Sequence, residues 1–221
     1  MKPLLIAGNW KSNKTTADAL RWLQDFKNHT GTIPTYITVV LCVPFTLLYT
    51  VKEKIREYSL PIVLGAQNVS PFPEGAETGE ESARMVRDLA DWVIIGHSER
   101  RKNFHETDDV LQKKVEQAHL VGLKIIYCVP DDRTPIPAHV DVTAYEPVWA
   151  IGTGKSDTPE NANMVVASIK ATSQVKRVIY GGSVTTANVA SFVGQPSIDG
   201  VLPGGASLDP EIFAALITNA R

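Results

Sequence analysis

DVTAYEPVWAIGTGK, residues 141–155, consists of a β-rich run followed by a loop that begins with Glu146 and Pro147. Pro147 fixes its own φ angle and biases Glu146 towards extended geometry, so stiff backbone holds this carboxylate at the end of a predicted strand. Gly152 and Gly154 leave the far side of the loop free to bend. A loop with one rigid and one flexible edge is typical of a lid; a solvated Glu followed by a plain surface loop is the alternative.

The end of this loop, Gly154-Lys155-Ser156, looks like the tail of a nucleotide-binding P-loop. The P-loop pattern G-x-x-x-x-G-K-[ST] requires a glycine where the chain has Trp149. The spacing therefore argues against a nucleotide site.

The composition favours one domain over residues 1–221. Of these residues 43% are hydrophobic, enough for one substantial core, and single α/β barrels of this length are common. A formal net charge of -2 provides no basic stripe for nucleic acid and no polybasic membrane patch. No apolar run reaches the roughly 18 residues that span a bilayer. The sequence predicts a soluble protein without nucleic-acid or membrane partners.

The two cysteines, Cys42 and Cys128, are typical of free thiols in a reducing compartment. The apolar segment within residues 1–8 is too short for a secretory signal. We expect a cytoplasmic protein.

Short apolar runs, typical of strands buried on both faces, alternate with helical patterns along the chain. Strands are predicted at residues 4–9, 36–42, 62–67, 92–95, 123–129, 141–145, 176–180 and 199–202. Helices are predicted at residues 15–28, around 47–55, at 80–90, 108–120 and 159–172, as a short helix opening at 181–183, and from Asp209 onwards. This is the pattern of an α/β fold, a (β/α)8 barrel; an open doubly wound sheet is the alternative, because strand count alone does not prove closure.

One crossover is too short for this pattern. Only 18 positions (146 minus 128) separate Cys128 from Glu146, too few for a crossover helix beside a strand. The fifth crossover helix is therefore predicted to be shortened or missing, in the proline-rich connection that begins at Pro130. We expect thin cover of the barrel there.

Polar residues follow the predicted strands at their C-terminal ends, where barrels place their sites. Asn9 and Lys11 follow the first strand, His97 the fourth and Glu146 the sixth. A helix starting at Ser98 would favour a neutral imidazole through the positive potential at its N-terminus. A neutral imidazole donor, a lysine cation and a carboxylate base can together remove a proton next to a carbonyl.

Three glycine-rich turns fall on the same predicted face, at Gly152, residues 181–183 and residues 204–205. Two of them follow strands seven and eight, where barrels commonly bind phosphate. A single Gly-Gly pair is more often only a tight turn, but three such turns together predict an anion site.

Five motifs, in order, resemble the signatures of the triosephosphate isomerase family: GNWK at residues 8–11, IGHSERR at 95–101, YEPVWAIGTGK at 145–155, YGGSV at 180–184 and GGASL at 204–208. The resemblance covers essentially the whole chain. It implies a TIM barrel and an isomerase of glycolysis and gluconeogenesis. The implied reaction interconverts dihydroxyacetone phosphate and D-glyceraldehyde 3-phosphate without a metal or an organic cofactor.

The resemblance also implies roles for individual residues. Glu146 would be the base that moves the proton between carbons, and His97 the neutral electrophile at the carbonyl. Lys11 and Asn9 would stabilise the enediolate oxygens. The phosphate would be held by backbone N–H groups of Gly152, Ser183, Gly204 and Gly205. Residues 147–155 would close over the substrate and exclude water.

The family resemblance further implies a homodimer. The long loop at residues 68–79, with Thr78, would insert next to Asn9 and Lys11 of a second copy. Exposed apolar surface at the short fifth crossover leaves a tetramer open. Because the barrel hosts many chemistries, two other functions also stay open: a non-catalytic phosphate-binding scaffold and an isomerase of another sugar phosphate.

Overall fold

The computed structural model describes residues 2–150 and 156–220. Eight parallel strands close into a barrel in sequence order, and the last strand pairs with the first. The strands are β1 (Leu4–Asn9), β2 (Ile37–Val43), β3 (Val63–Ala66), β4 (Trp92–Ile95), β5 (Lys124–Val129), β6 (Val142–Tyr145), β7 (Val178–Tyr180) and β8 (Gly200–Val201). The predicted (β/α)8 barrel is confirmed, and the open sheet is excluded.

Helices surround the barrel. They are α1 (Thr16–His29), α2 (Leu48–Tyr58), α3 (Ala83–Leu89), α4 (Ser98–Asn103), α5 (Asp108–Leu120), α6 (Pro159–Thr172), α7 (Val189–Val193) and α8 (Pro210–Asn219). Short 3-10 turns occupy Phe45–Leu47, Val148–Ala150 and Gly205–Ser207. Two helices, α4 and α5, share the fourth crossover. In the part of the chain that the structure describes, no helix is both long and apolar enough to cross a membrane.

The core has two layers because strand side chains alternate between the two faces of the barrel wall. In β1, Leu5 and Ala7 belong to the cluster inside the barrel, with Ile94, Ile126 and other strand residues. Leu4 and Ile6 belong to the larger cluster between the barrel and its helices. The interior is therefore packed, and the site has to lie at an end of the barrel.

The barrel closes between β8 and β1 at Gly200. Its φ angle is 147°, and a Cβ atom there would lie 1.9 Å from the backbone oxygen of Leu5. Only glycine can bring the two backbones this close. Closure thus depends on one residue that hydrophobic patterning does not reveal.

The fifth crossover contains no helix: residues 130–141, all described, form turns and extended chain between β5 and β6. The Asp131 carboxylate accepts hydrogen bonds from the backbone N–H groups of Arg133 (3.0 Å) and Thr134 (2.9 Å). Ile136 and Val140 pack on the outer core layer. Extended chain advances about 3.3 Å per residue against 1.5 Å in a helix, so this short strap spans the barrel's height. The prediction of a missing helix is confirmed.

Two predicted helix starts were wrong. Helix α3 starts at Ala83, not at residue 80, because the Ser82 hydroxyl accepts from the backbone N–H of Met85 and caps the helix. The helix predicted to open at residues 181–183 starts at Val189. Thr185 and Asn188 exchange side-chain to backbone hydrogen bonds of 2.8 and 3.3 Å, a capping pattern that sets the helical turn after Thr185 and leaves the glycine turn as loop.

Candidate functional site

A cavity of about 270 Å³ opens at the C-terminal ends of the strands. It brings together residues that lie far apart in the sequence, including Asn9, Lys11, His97, Ser183, Gly204 and Gly205. Glu146 lies beside it: its Cγ atom is 2.9 Å from where a Cβ atom of Gly181, a cavity-lining residue, would stand. The glycine turn thus leaves room for the carboxylate.

His97 is buried at the start of helix α4, and its ring acts as the helix cap. The Nδ1 atom accepts a hydrogen bond of 3.2 Å from the backbone N–H of Glu99. A nitrogen that accepts carries no proton, so the ring is neutral and its proton is on Nε2. The local fold therefore selects the tautomer, with Nε2–H as a donor.

Glu146 is only 1% exposed, and two interactions define the position of its carboxylate. Oε2 accepts a hydrogen bond of 2.9 Å from the backbone N–H of Ser98. Oε1 lies 3.1 Å from His97 Nε2, yet this contact lacks hydrogen-bond geometry, and Oε1 has no hydrogen bond to any described residue. Oε2 is therefore the oxygen held by the backbone, and Oε1 is the one that borders the imidazole.

The Cys128 thiol, inside the barrel, interacts with this carboxylate. Burial raises the pKa of Cys128 well above its usual value, and the negative charge of Glu146 raises it further. The thiol therefore stays protonated around neutral pH and adds no second negative charge beside the carboxylate.

Lys11 holds a backbone conformation that is unfavourable for its residue type, with φ at 53°. Two side chains secure it. The Asn9 Oδ1 atom accepts from the backbone N–H of Lys11 at 2.9 Å, and the Gln67 amide donates to its carbonyl oxygen at 3.0 Å. These two hydrogen bonds stabilise the unfavourable backbone conformation, which brings the ammonium group to the cavity.

The Lys11 ammonium pairs with Glu99, with 2.5 Å between Nζ and Oε1. The other Glu99 oxygen lies 3.6 Å from His97 Nδ1. Glu99 therefore balances the lysine charge and borders the histidine. A phosphate-bearing substrate would compete with it for the lysine.

Hydrogen bonds to their carbonyl oxygens hold the two glycine loops that follow β7 and β8. Trp10 Nε1 donates to the carbonyl oxygen of Ser207 at 3.1 Å, and the Ser207 hydroxyl donates to that of Gly204 at 2.7 Å. The Asn188 amide donates to the carbonyl oxygen of Ser183 at 3.2 Å. These bonds engage carbonyl groups of the two loops and hold the loop backbone at the cavity wall.

Tyr180 links the glycine turn to the chain that follows residue 155. Its hydroxyl accepts a hydrogen bond of 2.9 Å from the backbone N–H of Asp157, and burial raises its pKa to about 12. A Cβ atom at Gly182 would lie 2.1 Å from this hydroxyl, so the position requires glycine. Tyr180 therefore anchors the chain on the C-terminal side of the predicted lid.

We expect Tyr180→Phe to destabilise the fold by about 1–3 kcal/mol, because the buried N–H of Asp157 loses its acceptor. The melting temperature should fall by about 2–4 °C per kcal/mol for a chain of this size. Differential scanning calorimetry measures the change, with Tyr49→Phe, at an exposed tyrosine, as the control. Equal melting temperatures for the Tyr180 variant and the unchanged chain would contradict the anchoring.

Eight site residues were predicted from the sequence. Seven of them lie in the described chain, at or beside one cavity, and Gly152 lies outside the described residues. Sequence reasoning missed the contributions of Ser98, Glu99 and Gln67. Glu99 carried a signal, because it lies in the first turn of the helix that His97 caps. Among residues 2–150 and 156–220, no group of three or more His, Cys, Asp or Glu is arranged to hold a metal ion.

Comparison with known proteins agrees with this geometry. A family model described as Triosephosphate isomerase matches residues 4–139 and 137–220, two segments that meet within the strap of residues 130–141. Triosephosphate isomerase of Synechococcus sp. (strain JA-3-3Ab) is 40% identical over 245 aligned positions, covering 98% of this chain and 95% of its own length. That of Alkaliphilus metalliredigens is 38% identical over 255 positions, covering 98% and 99%. That of Endomicrobium trichonymphae is 37% identical over 253 positions, covering both chains fully (100%). The chain belongs to the triosephosphate isomerase family.

Proposed function

We propose that this protein interconverts dihydroxyacetone phosphate and D-glyceraldehyde 3-phosphate through an enediolate, with Glu146 as the base. The observation that carries the proposal is the buried Glu146 Oε1, which has no hydrogen bond to any described residue and lies 3.1 Å from Nε2 of a neutral His97. Family membership and the names of the relatives support this reaction over that of another sugar phosphate isomerase.

Glu146 removes the proton from the carbon next to the carbonyl and returns it to the neighbouring carbon. In the structure its other oxygen rests on the backbone N–H of Ser98. That bond positions the carboxylate before substrate arrives, and a shift away from Ser98 brings it to the substrate carbon. Burial of the group keeps water from competing for the proton.

His97 donates from Nε2 to the substrate oxygens and moves the hydroxyl proton between them. The N–H of Glu99 supports this role, because it occupies Nδ1 and leaves the proton on the cavity side. Lys11 and Asn9 stabilise the negative charge that develops on the enediolate oxygens. For this Lys11 must exchange its Glu99 partner for substrate, since its ammonium is paired in the structure.

The phosphate group binds backbone N–H groups of Gly152, Ser183, Gly204 and Gly205. Lys11 lies at the edge of the same loop: a Cβ atom at Gly204 would be 3.1 Å from its Cε. Closure of residues 147–155 then excludes water and prevents loss of phosphate from the intermediate. Trp149, at the start of this segment, is 57% exposed.

A coupled assay with glyceraldehyde 3-phosphate in the presence of a metal chelator tests the function. Fast turnover is the expected result, because the proposed steps need only groups of the chain itself. A folded sample that binds a phosphate-bearing enediolate analogue but does not turn over would favour the non-catalytic scaffold. That alternative is not favoured, since the proposed catalytic side chains are all present.

We also propose that the protein is a single cytoplasmic domain that acts as a homodimer. Strands from both ends of the described chain form one barrel, which supports one domain. Cys42 and Cys128 are both buried free thiols, which suits a reducing compartment. A groove of about 490 Å³ borders Lys11 and includes Ser12, Phe45 and Phe104.

Loop 68–79 of a second copy, with Thr78, is the proposed occupant of this groove. Phe104 in the groove is 64% exposed, and a partner would cover it. We expect light scattering after size exclusion to give two chains per particle. Thr78→Arg should shift the equilibrium towards the monomer and lower turnover with it, while Thr172→Arg, at the exposed end of α6, should change neither. A monomer of the unchanged chain would contradict the dimer, and four chains would favour the tetramer.

A further inference from the structure

A second cavity lies at the opposite end of the barrel. The basal cavity, of about 460 Å³, is lined by Thr38 of β2, Val63 of β3, Trp92 of β4, Lys124 of β5 and, just before β7, Arg177, together with Arg87, Asp91 and Gly122. Most of these residues stand at strand starts, so the cavity is at the N-terminal mouth. The interior core layer separates it from the candidate active site.

Cationic side chains dominate the basal cavity. Arg87, Lys124 and Arg177 line it with a single carboxylate, that of Asp91. Asp91 is already engaged, because its Oδ1 atom pairs with Arg87 Nη1 at 2.7 Å. Within residues 2–150 and 156–220, neither Lys124 nor Arg177 has a carboxylate partner within ion-pair distance, so the cavity carries an unbalanced positive charge in a chain whose net charge is -2.

The two unpaired cations stand on fixed backbone. The Lys124 N–H donates to the Asp91 carbonyl at 2.9 Å, and the Thr143 N–H donates to the Arg177 carbonyl at 3.0 Å. Both bonds continue the hydrogen-bond ladder of the barrel. The Lys124 ammonium also lies 5.4 Å from the ring centroid of Trp92, which is buried. The barrel therefore fixes the backbone at both positions, so both cations extend from defined points of the cavity wall.

We propose that the basal cavity binds a small phosphate-bearing anion between Lys124 and Arg177. A guanidinium offers paired N–H donors that match phosphate oxygens, and an ammonium adds a point charge. Thr38, which also lines the cavity, adds a hydroxyl group. The cavity volume is in the range of small-molecule sites. Because the core lies between the two ends, this ligand binds independently of substrate.

Calorimetric titration with inorganic pyrophosphate tests the proposal, with the active site first saturated by a phosphate-bearing enediolate analogue. We expect one further site per chain. Lys124→Gln combined with Arg177→Gln should weaken this binding at least tenfold while leaving turnover unchanged. Lys113→Gln, which removes a charge from the exposed face of α5, should leave pyrophosphate binding unchanged.

Absence of saturable pyrophosphate binding would overturn the proposal. So would a Lys113→Gln variant that weakens this binding as much as the double variant does, since such a result would reflect net charge alone. If the double variant does not fold, amide chemical shifts of the unchanged chain decide. Pyrophosphate should then shift the signals of Thr38 and Lys124 more than those of the glycine loops. Shifts confined to the glycine loops would place the anion in the active site and reject the basal site.

Discussion

Replacing Glu146 by aspartate is expected to lower kcat by about 10²-fold or more, because a base withdrawn by about 1 Å no longer reaches the substrate carbon. Affinity for a phosphate-bearing enediolate analogue should change by no more than a few-fold. The phosphate is assigned to backbone groups of other loops, which the substitution does not touch. Steady-state kinetics and analogue binding, measured on the same sample, separate the two effects.

Glu116→Asp is the matched control for this variant. Glu116 is exposed on helix α5 and its carboxylate bonds only to Gln112 at 2.9 Å in the described chain. The same shortening there should leave kcat unchanged. A Glu146 variant that loses turnover and analogue affinity in equal proportion would contradict the assignment, since that pattern indicates a damaged site.

His97→Gln is expected to lower kcat by about 10²–10⁴-fold, the usual contribution of a positioned proton-transfer group. An amide can donate a hydrogen bond to the substrate but cannot give up its proton and recover it. The lost cap on helix α4 should cost about 1 kcal/mol, too little to unfold the chain. Kinetics with a thermal melt of each variant measure both effects.

His29→Gln serves as the control, because this exposed ring contacts the Asp25 carbonyl oxygen at 2.9 Å at the end of α1, far from the cavity. Its activity should equal that of the unchanged protein. Unchanged activity of the His97 variant would remove this ring from the mechanism. A large drop in melting temperature would instead indicate that the ring acts mainly as a cap.

Buried strands and well-capped helices were predictable from local sequence. The bounds predicted for β1, β4, α5 and α6 match the structure, because an apolar run underlies each strand and a Thr cap marks the start of each helix. The start of α7 was not predictable in the same way. It depends on the mutual bonding of Thr185 and Asn188, and a Gly-Gly turn masks that signal.

Within the candidate site, residues that carry chemistry in their side chains were predictable, and residues that act by contact were not. His97 and Glu146 stood out by type and by position at strand ends. Gln67 bonds the carbonyl oxygens of Lys11 and Cys42, residues far from it in the chain, so no local pattern indicated it. The tautomer of His97 likewise depends on a backbone N–H that points at its ring.

The sequence by itself determined the alternation of strands and helices, the absence of the fifth helix and the family, since all of these depend on local patterns, spacing and motif order. Tertiary structure alone decided three other features. It closed the barrel at Gly200, selected the Ser98 N–H as the resting partner of Glu146, and gathered Lys124 and Arg177 at the opposite mouth. Each of these is a contact between distant segments, and such contacts exist only once the eight strands have set their register.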